Sequence, residues 1–128
     1  MMRALVVDDS RAMRAILGKH LRELGFEVHE ARTGVDALMV LHKIGVVDLM
    51  MVDWNMPEMD GLEFLNRVRK EHSNDDSRVM MVTTESEMSQ VQVALQAGAN
   101  EYLMKPFDRE ALLEKLLLLG IDPSENAA

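Results

Sequence analysis

Cysteine is absent from the 128-residue chain, so neither disulfides nor thiolate metal sites are open to it, and a reducing compartment suits it. No apolar run is long enough to cross a bilayer or act as a secretory leader. The amino terminus, MMRALVVDD, reaches Asp8 directly after the short stretch Ala4 to Val7. Cations are outnumbered, with 14 Lys and Arg against 22 Asp and Glu and a formal net charge of −8. Phosphate backbones are gripped by clustered Lys and Arg, so a nucleic-acid role is set aside. These shortages lead us to expect a cytoplasmic protein with no membrane insertion.

What the chain does have is ordinary for a globular protein: 48% hydrophobic and 28% charged residues, in a length that fits one domain with a substantial core. Twelve methionines stand out, open to reading as gap-filling in that core or as a Met-rich binding groove. Short apolar runs alternate with helix-period segments. RALVVD (3–8) reads as a strand, and SRAMRAILGKHLRELG (10–25) as a helix capped by Ser10. That helix carries Met13, Ile16, Leu17, Leu21 and Leu24 on one face and stops at Gly25. FEVHEA alternates as a second strand, and TGVDALMVLHKIG (33–45) is a second helix. VVDLMMVD (46–53) is a buried third strand, and GLEFLNRVRKEH (61–72) a third helix. After the polar loop SNDDS come the strand RVMMVTT, a helix over 86–99, a strand within NEYLMKPF, and a helix over 108–120 capped by Asp108. Five strands each followed by a helix predict a doubly wound α/β domain with a parallel sheet covered on both faces. It should occupy residues 1–121, leaving 122–128 as a disordered tail.

In such sheets ligands bind beyond the carboxyl ends of the strands, where the strand order reverses. The residues that finish the strands are therefore the informative ones. The first ends in Asp8 and Asp9, the third in Asp53, the fourth in Thr83 and Thr84, the fifth in Lys105 before Pro106. Any one of these acids alone reads as a cap or solvated turn. Three together repel strongly unless a cation sits among them. Carboxylates without His or Cys are hard ligands suited to Mg²⁺. None of His20, His29, His42 and His72 falls at a strand's carboxyl end, so each reads as a helix-surface or half-buried residue. Lys105 opposite the metal can hold an anionic oxygen, and Thr83 can donate to the same anion. A metal, an ammonium and a hydroxyl form a cradle for a phosphoryl group, and a carboxylate can accept that group as an aspartyl phosphate. Asp53 is the expected nucleophile, held rigid by its strand.

The segments LVVDDS, VDWNMPEMDGLEFL, MMVTTE and QAGANEYLMKPF, in that order, give the chain a specific likeness over residues 3–120. It resembles the receiver domains of two-component response regulators, and is especially similar to stand-alone chemotaxis regulators of the CheY type. The resemblance implies a flavodoxin-like sheet of order 2-1-3-4-5. It implies Asp53 as phosphoacceptor, Mg²⁺ bound by Asp9 and Asp53 directly, by Asp8 through water, and by the backbone carbonyl of Asn55. It further implies Thr83 and Lys105 as switch hydroxyl and phosphate-binding lysine, and Tyr102 as the aromatic that follows the state of the site. The Lys105–Pro106 bond is cis in that family, although only about 5–6% of X-Pro bonds are. Ser10 stands where the chemotaxis relative carries an aromatic, and Thr84 is bulkier than the alanine common there and narrows access to Asp53. Asn55 and Glu85 occupy the positions that tune acyl-phosphate lifetime, and their character implies a short one.

The implied function is a single-domain response regulator that takes a phosphoryl group from a sensor histidine kinase or a histidine phosphotransfer protein. It would then bind a downstream protein target through the face formed by helix four, strand five and helix five. No appended output domain is read, so the output is expected in another molecule, with the chain a monomer or a weak phosphorylation-dependent dimer. A phosphotransfer shuttle or phosphate sink would use the same site. Catalysis is expected only on its own phosphorylation and dephosphorylation. Leu113 and Leu117 lie toward the rim of helix five if Leu112, Leu116 and Leu119 face the sheet, as partner surface or as a broad core face. A phosphatase of the haloacid-dehalogenase kind would want an acid two residues past its nucleophile, where this chain has Asn55. A flavodoxin would want a Ser/Thr/Gly-rich phosphate loop where it has DDSRAM. The full set Asp8, Asp9, Asp53, Thr83 and Lys105 argues against a degenerate, binding-only receiver.

Overall fold

A computed structural model of the chain describes residues 2–71 and 76–126. The strands are β1 Arg3–Val7, β2 Glu27–Ala31, β3 Leu49–Asp53, β4 Arg78–Thr83 and β5 Glu101–Met104. The helices are α1 Arg11–Glu23, α2 Gly34–Ile44, α3 Gly61–Glu71, α4 Val91–Gln96 and α5 Arg109–Leu118. All strand pairs are parallel, in the order β2-β1-β3-β4-β5. That order puts the reversal between β1 and β3, so a crevice opens where those two strands end.

Alternation along each strand splits the core into two layers. Leu5, Val7, Met50, Val52, Val79 and Met81 face α2, α3 and α4. Ala4, Val6, Leu49, Met51, Met80, Val82 and Leu103 face α1 and α5, against Leu17, Leu21, Leu112 and Leu116. Every residue of β3 is buried, which is why it reads as an unbroken apolar run. The edge strand β2 instead keeps Glu27 and Glu30 exposed, a composition that discourages pairing with another chain. Five methionines, Met50, Met51, Met80, Met81 and Met59, are 5% exposed or less, so these serve as core filling.

Several boundaries differ from the sequence reading. β3 begins at Leu49 rather than Val46, because Asp48 turns back to accept the Arg3 N–H at 2.8 Å and leaves Val46 57% exposed. The fourth helix is not continuous: residues Glu85–Gln90 form a 3-10 helix that leads into α4. None of those six residues is buried, so no apolar stripe draws them into an α-helical register. The expected face of α1 packs inward through Met13, Leu17, Leu21 and Leu24, and departs from expectation at Ile16. The buried residues of this helix are Arg14, Leu17, Gly18 and Leu21, whereas Ile16 is 46% exposed. The chain beyond residue 121 makes a 3-10 turn at Pro123–Asn126 with Pro123 buried, where a disordered tail had been expected. His72 and the first part of the SNDDS loop lie outside the described residues.

Candidate functional site

Asp8 follows the last residue of β1, and its N–H still pairs with the Ala31 carbonyl of β2 at 3.1 Å. Asp53 ends β3 across the crevice. They are 1% and 6% exposed, while Asp9 is exposed. One oxygen from each of Asp8, Asp9 and Asp53 lies within 4.8 Å of the others. The predicted convergence of the three acids is thus present in the fold. Lys105, just past β5, reaches back so that Nζ stands 3.1 Å from Asp53 Oδ1 and 3.9 Å from Asp8 Oδ2. Its backbone N–H bonds the Thr83 carbonyl at 2.7 Å, and the Lys105–Pro106 bond is cis, as the resemblance implied and base rates did not.

Lys105 does not fully offset the crowding of acids. Burial first, then the charge of Asp8, push the Asp53 carboxyl up from 3.8 to about 6, against the opposing pull of Lys105. Asp8 is also raised, chiefly by burial, with the Ser10 N–H bond at 2.8 Å acting the other way. Asp8 Oδ2 is buried and has no hydrogen-bond partner. A buried carboxylate oxygen with no hydrogen bond, facing the Lys105 ammonium only at 3.9 Å and set beside two other acids, fits a hard divalent cation such as Mg²⁺. No His or Cys belongs to the cluster, so a zinc-type site does not fit.

The loop after Asp53 is held against it. Gly61 N–H bonds the Trp54 carbonyl at 2.9 Å, and a Cβ on Gly61 would meet the Asp53 carbonyl oxygen at 2.6 Å. Only glycine lets the start of α3 approach the β3 end so closely, which answers for its place in the sequence. Asn55, on the loop beyond β3, and Glu85, the first residue of the 3-10 helix beyond β4, are both exposed.

Thr83 is 1% exposed, one residue past Val82, the register partner of Asp53. Its hydroxyl donates to the Thr84 carbonyl at 3.3 Å and to Glu87 at 3.4 Å. The same Glu87 oxygen takes the Thr84 N–H at 2.9 Å and the Thr84 hydroxyl at 3.0 Å, a capping box for the 3-10 helix. Thr84, expected to narrow access to Asp53, thus has its hydroxyl engaged with Ser86 and Glu87. Tyr102 is half-buried against the layer that contains α4. The Lys115 ammonium sits 4.0 Å above its ring and pairs with Glu101 at 3.1 Å.

Two participants escaped the sequence reading. Arg14, 9% exposed, donates to the Asp8 carbonyl at 2.7 Å; its spacing of three, four and seven residues from Leu17, Gly18 and Leu21 was the available signal. Glu87 lies three residues after Thr84, and that capping pattern was also legible. Leu113 and Leu117 do not lie on the face of α4, β5 and α5. With Leu24, Gly25 and Pro123 they line a groove of about 450 Å³ between α1 and α5.

The response regulator receiver domain matches residues 4–117, and the chain belongs to that family. It is similar to a chemotaxis protein CheY homolog of Campylobacter jejuni, with 46% identity over 99% of both chains. The CheY1 chemotaxis protein of Helicobacter pylori is 43% identical over 93% of this chain and 98% of its own. Among solved structures, CheY4 of Vibrio cholerae superposes with a TM-score of 0.85 at 35% identity, covering 93% of this chain and 98% of that one. No helix among the described residues is long and apolar enough to cross a membrane.

Proposed function

We propose that the chain is a single-domain response regulator that accepts a phosphoryl group on Asp53, with Mg²⁺, from the phosphohistidine of a kinase or phosphotransfer protein. The observation that carries this reading is a buried Asp53 carboxylate flanked by Asp8 and Asp9 within 4.8 Å and by Lys105 Nζ at 3.1 Å. An Asp53 oxygen attacks phosphorus as the P–N bond to imidazole breaks, and the nitrogen leaves with the bonding pair. Asp8, Asp9, Asp53 and the Asn55 carbonyl would hold the Mg²⁺, which supplies charge neutralisation at the phosphoryl oxygens. Lys105 shares that work from the opposite side. The acceptor cannot drift, because every residue of β3 is packed and Gly61 fixes the loop behind it.

The signal leaves through Thr83. Its hydroxyl exchanges Glu87 and the Thr84 carbonyl for a phosphoryl oxygen, loosening the start of the 3-10 helix, and Tyr102 repacks beneath Lys115. The face that changes carries exposed Val93, Leu95 and Met104, at 49%, 37% and 42%, which suits a protein target. Likeness to chemotaxis proteins over nearly the whole chain supports chemotaxis as the pathway and the cytoplasm as the setting. Exposure of Asn55 and Glu85 leaves a path for water to Asp53, so the acyl phosphate is short-lived. Labelling with a small acyl-phosphate donor tests the acceptor: wild type takes up one phosphoryl group and Asp53→Asn takes up none. Labelling that survives in the variant moves the acceptor elsewhere.

A further inference from the structure

A buried arginine of α1, bonded to the backbone of Asp8, has no part in the mechanism above. Arg14 Nη1 donates to the Asp8 carbonyl at 2.7 Å, and Nε bonds Glu30 Oε1 at 3.2 Å. Glu30 lies on β2 beside Ala31, whose carbonyl takes the Asp8 N–H at 3.1 Å, and Arg22 approaches its second oxygen at 3.6 Å. Asp8 is therefore gripped at both of its backbone polar groups. The carbonyl that Arg14 holds belongs to the peptide unit joining Asp8 to Asp9. Fixing that plane fixes the relative placement of the two carboxylates that face Asp53.

We propose that Arg14, braced by Glu30, is a positioning residue that sets the acid pair for a divalent cation. The inference rests on the metal-binding reading above. Charge alone gives the opposite expectation, since a guanidinium near three acids repels an arriving cation. The fork geometry is the property that matters: one nitrogen holds the carbonyl while another holds the brace. Lysine keeps the charge but has a single point of donation.

The test is Mg²⁺ titration of the full chain, read by the fluorescence of Trp54, the single tryptophan, half-buried next to Asp53, and by calorimetry in parallel. Arg14→Lys should raise the Mg²⁺ Kd about 10-fold or more, the range seen when residues behind metal ligands are removed. Arg14→Met should weaken binding as well, and Glu30→Gln should weaken it by a smaller factor. At saturating Mg²⁺ the labelling rate of Arg14→Lys should return to that of wild type, because only the metal requirement has changed. Unchanged affinity in Arg14→Lys, or tighter binding in Arg14→Met, overturns the inference while leaving the metal site in place. Should Arg14→Lys fail to fold by circular dichroism, Glu30→Gln decides alone, and unchanged affinity there overturns it. Absence of Mg²⁺ binding in wild type overturns the parent reading together with this one.

Discussion

Replacing Asp53 by Asn should make the metal-free protein more stable, although it removes the residue on which function turns. In the folded chain the Asp53 carboxyl is raised from 3.8 to about 6, so the fold holds this proton more tightly than the unfolded chain does. Its stabilising contribution is therefore complete below pH 3.8 and is lost as pH rises through about 6. At about 1.4 kcal/mol per pH unit, the ionised carboxylate opposes folding by about 3 kcal/mol at neutral pH. Asparagine keeps the shape and an oxygen acceptor for Lys105, but still loses hydration on burial and leaves that ammonium without its nearest counter-charge. The expected net gain is about 1–3 kcal/mol, several degrees in Tm for a domain of this size. Urea unfolding in a chelator near pH 7.5 and near pH 4 measures it. The variant should be the more stable protein at the higher pH, with the gap shrinking below about 1 kcal/mol at the lower. Excess Mg²⁺ should then narrow or reverse the difference at pH 7.5, since a ligand at 100 times its Kd adds about 2.7 kcal/mol to a protein that binds it. A less stable variant, or a gap independent of pH, would refute the claim that like charge and burial strain this site.

Gly61→Ala should destabilise the fold by about 1–3 kcal/mol, because its methyl meets backbone of Asp53 and Trp54 that cannot yield; urea unfolding at the wild-type midpoint would contradict this. Glu58 sits at φ 68° where Met59 N–H bonds the Pro57 carbonyl at 2.7 Å, and Glu58→Asn should stabilise by up to about 1 kcal/mol, as Asn tolerates that region better; calorimetric Tm is the readout, and a fall would count against it. Glu87→Ala removes one of the two acceptors of the Thr83 hydroxyl and leaves the Thr84 carbonyl, so affinity for a non-covalent phosphoryl mimic should rise about fivefold, the equivalent of one modest hydrogen bond. Weaker binding of the mimic would show that Glu87 supports the occupied site instead of competing with it.

The site was legible because a parallel sheet sends every strand's carboxyl end to one edge. Asp8, Asp9, Asp53, Thr83 and Lys105 could be placed together from the order of apolar runs alone. Side-chain direction was less accessible. Periodicity identified α1 as amphipathic but favoured its apolar residues, so Arg14, whose stem shares the buried stripe, was passed over. Continuous apolar runs also blur strand starts: Val46 and Val47 read as β3 until the Asp48 turn, a tertiary contact with Arg3, is taken into account. Leu113 and Leu117 were placed at the rim of α5, but which neighbour they meet depends on the close approach of α1 and of the turn at Pro123. Local pattern carries no information on that packing.

Asp53 can take on a phosphoryl group only if a divalent ion and Lys105 together offset the acid cluster. Intact-mass spectrometry with peptide mapping, after exposure of the wild-type chain to a small acyl phosphate, tests this directly. With Mg²⁺ one phosphoryl group should appear on the peptide bearing Asp53, and with chelator none should. Equal uptake in both conditions, or uptake at another residue, would contradict it.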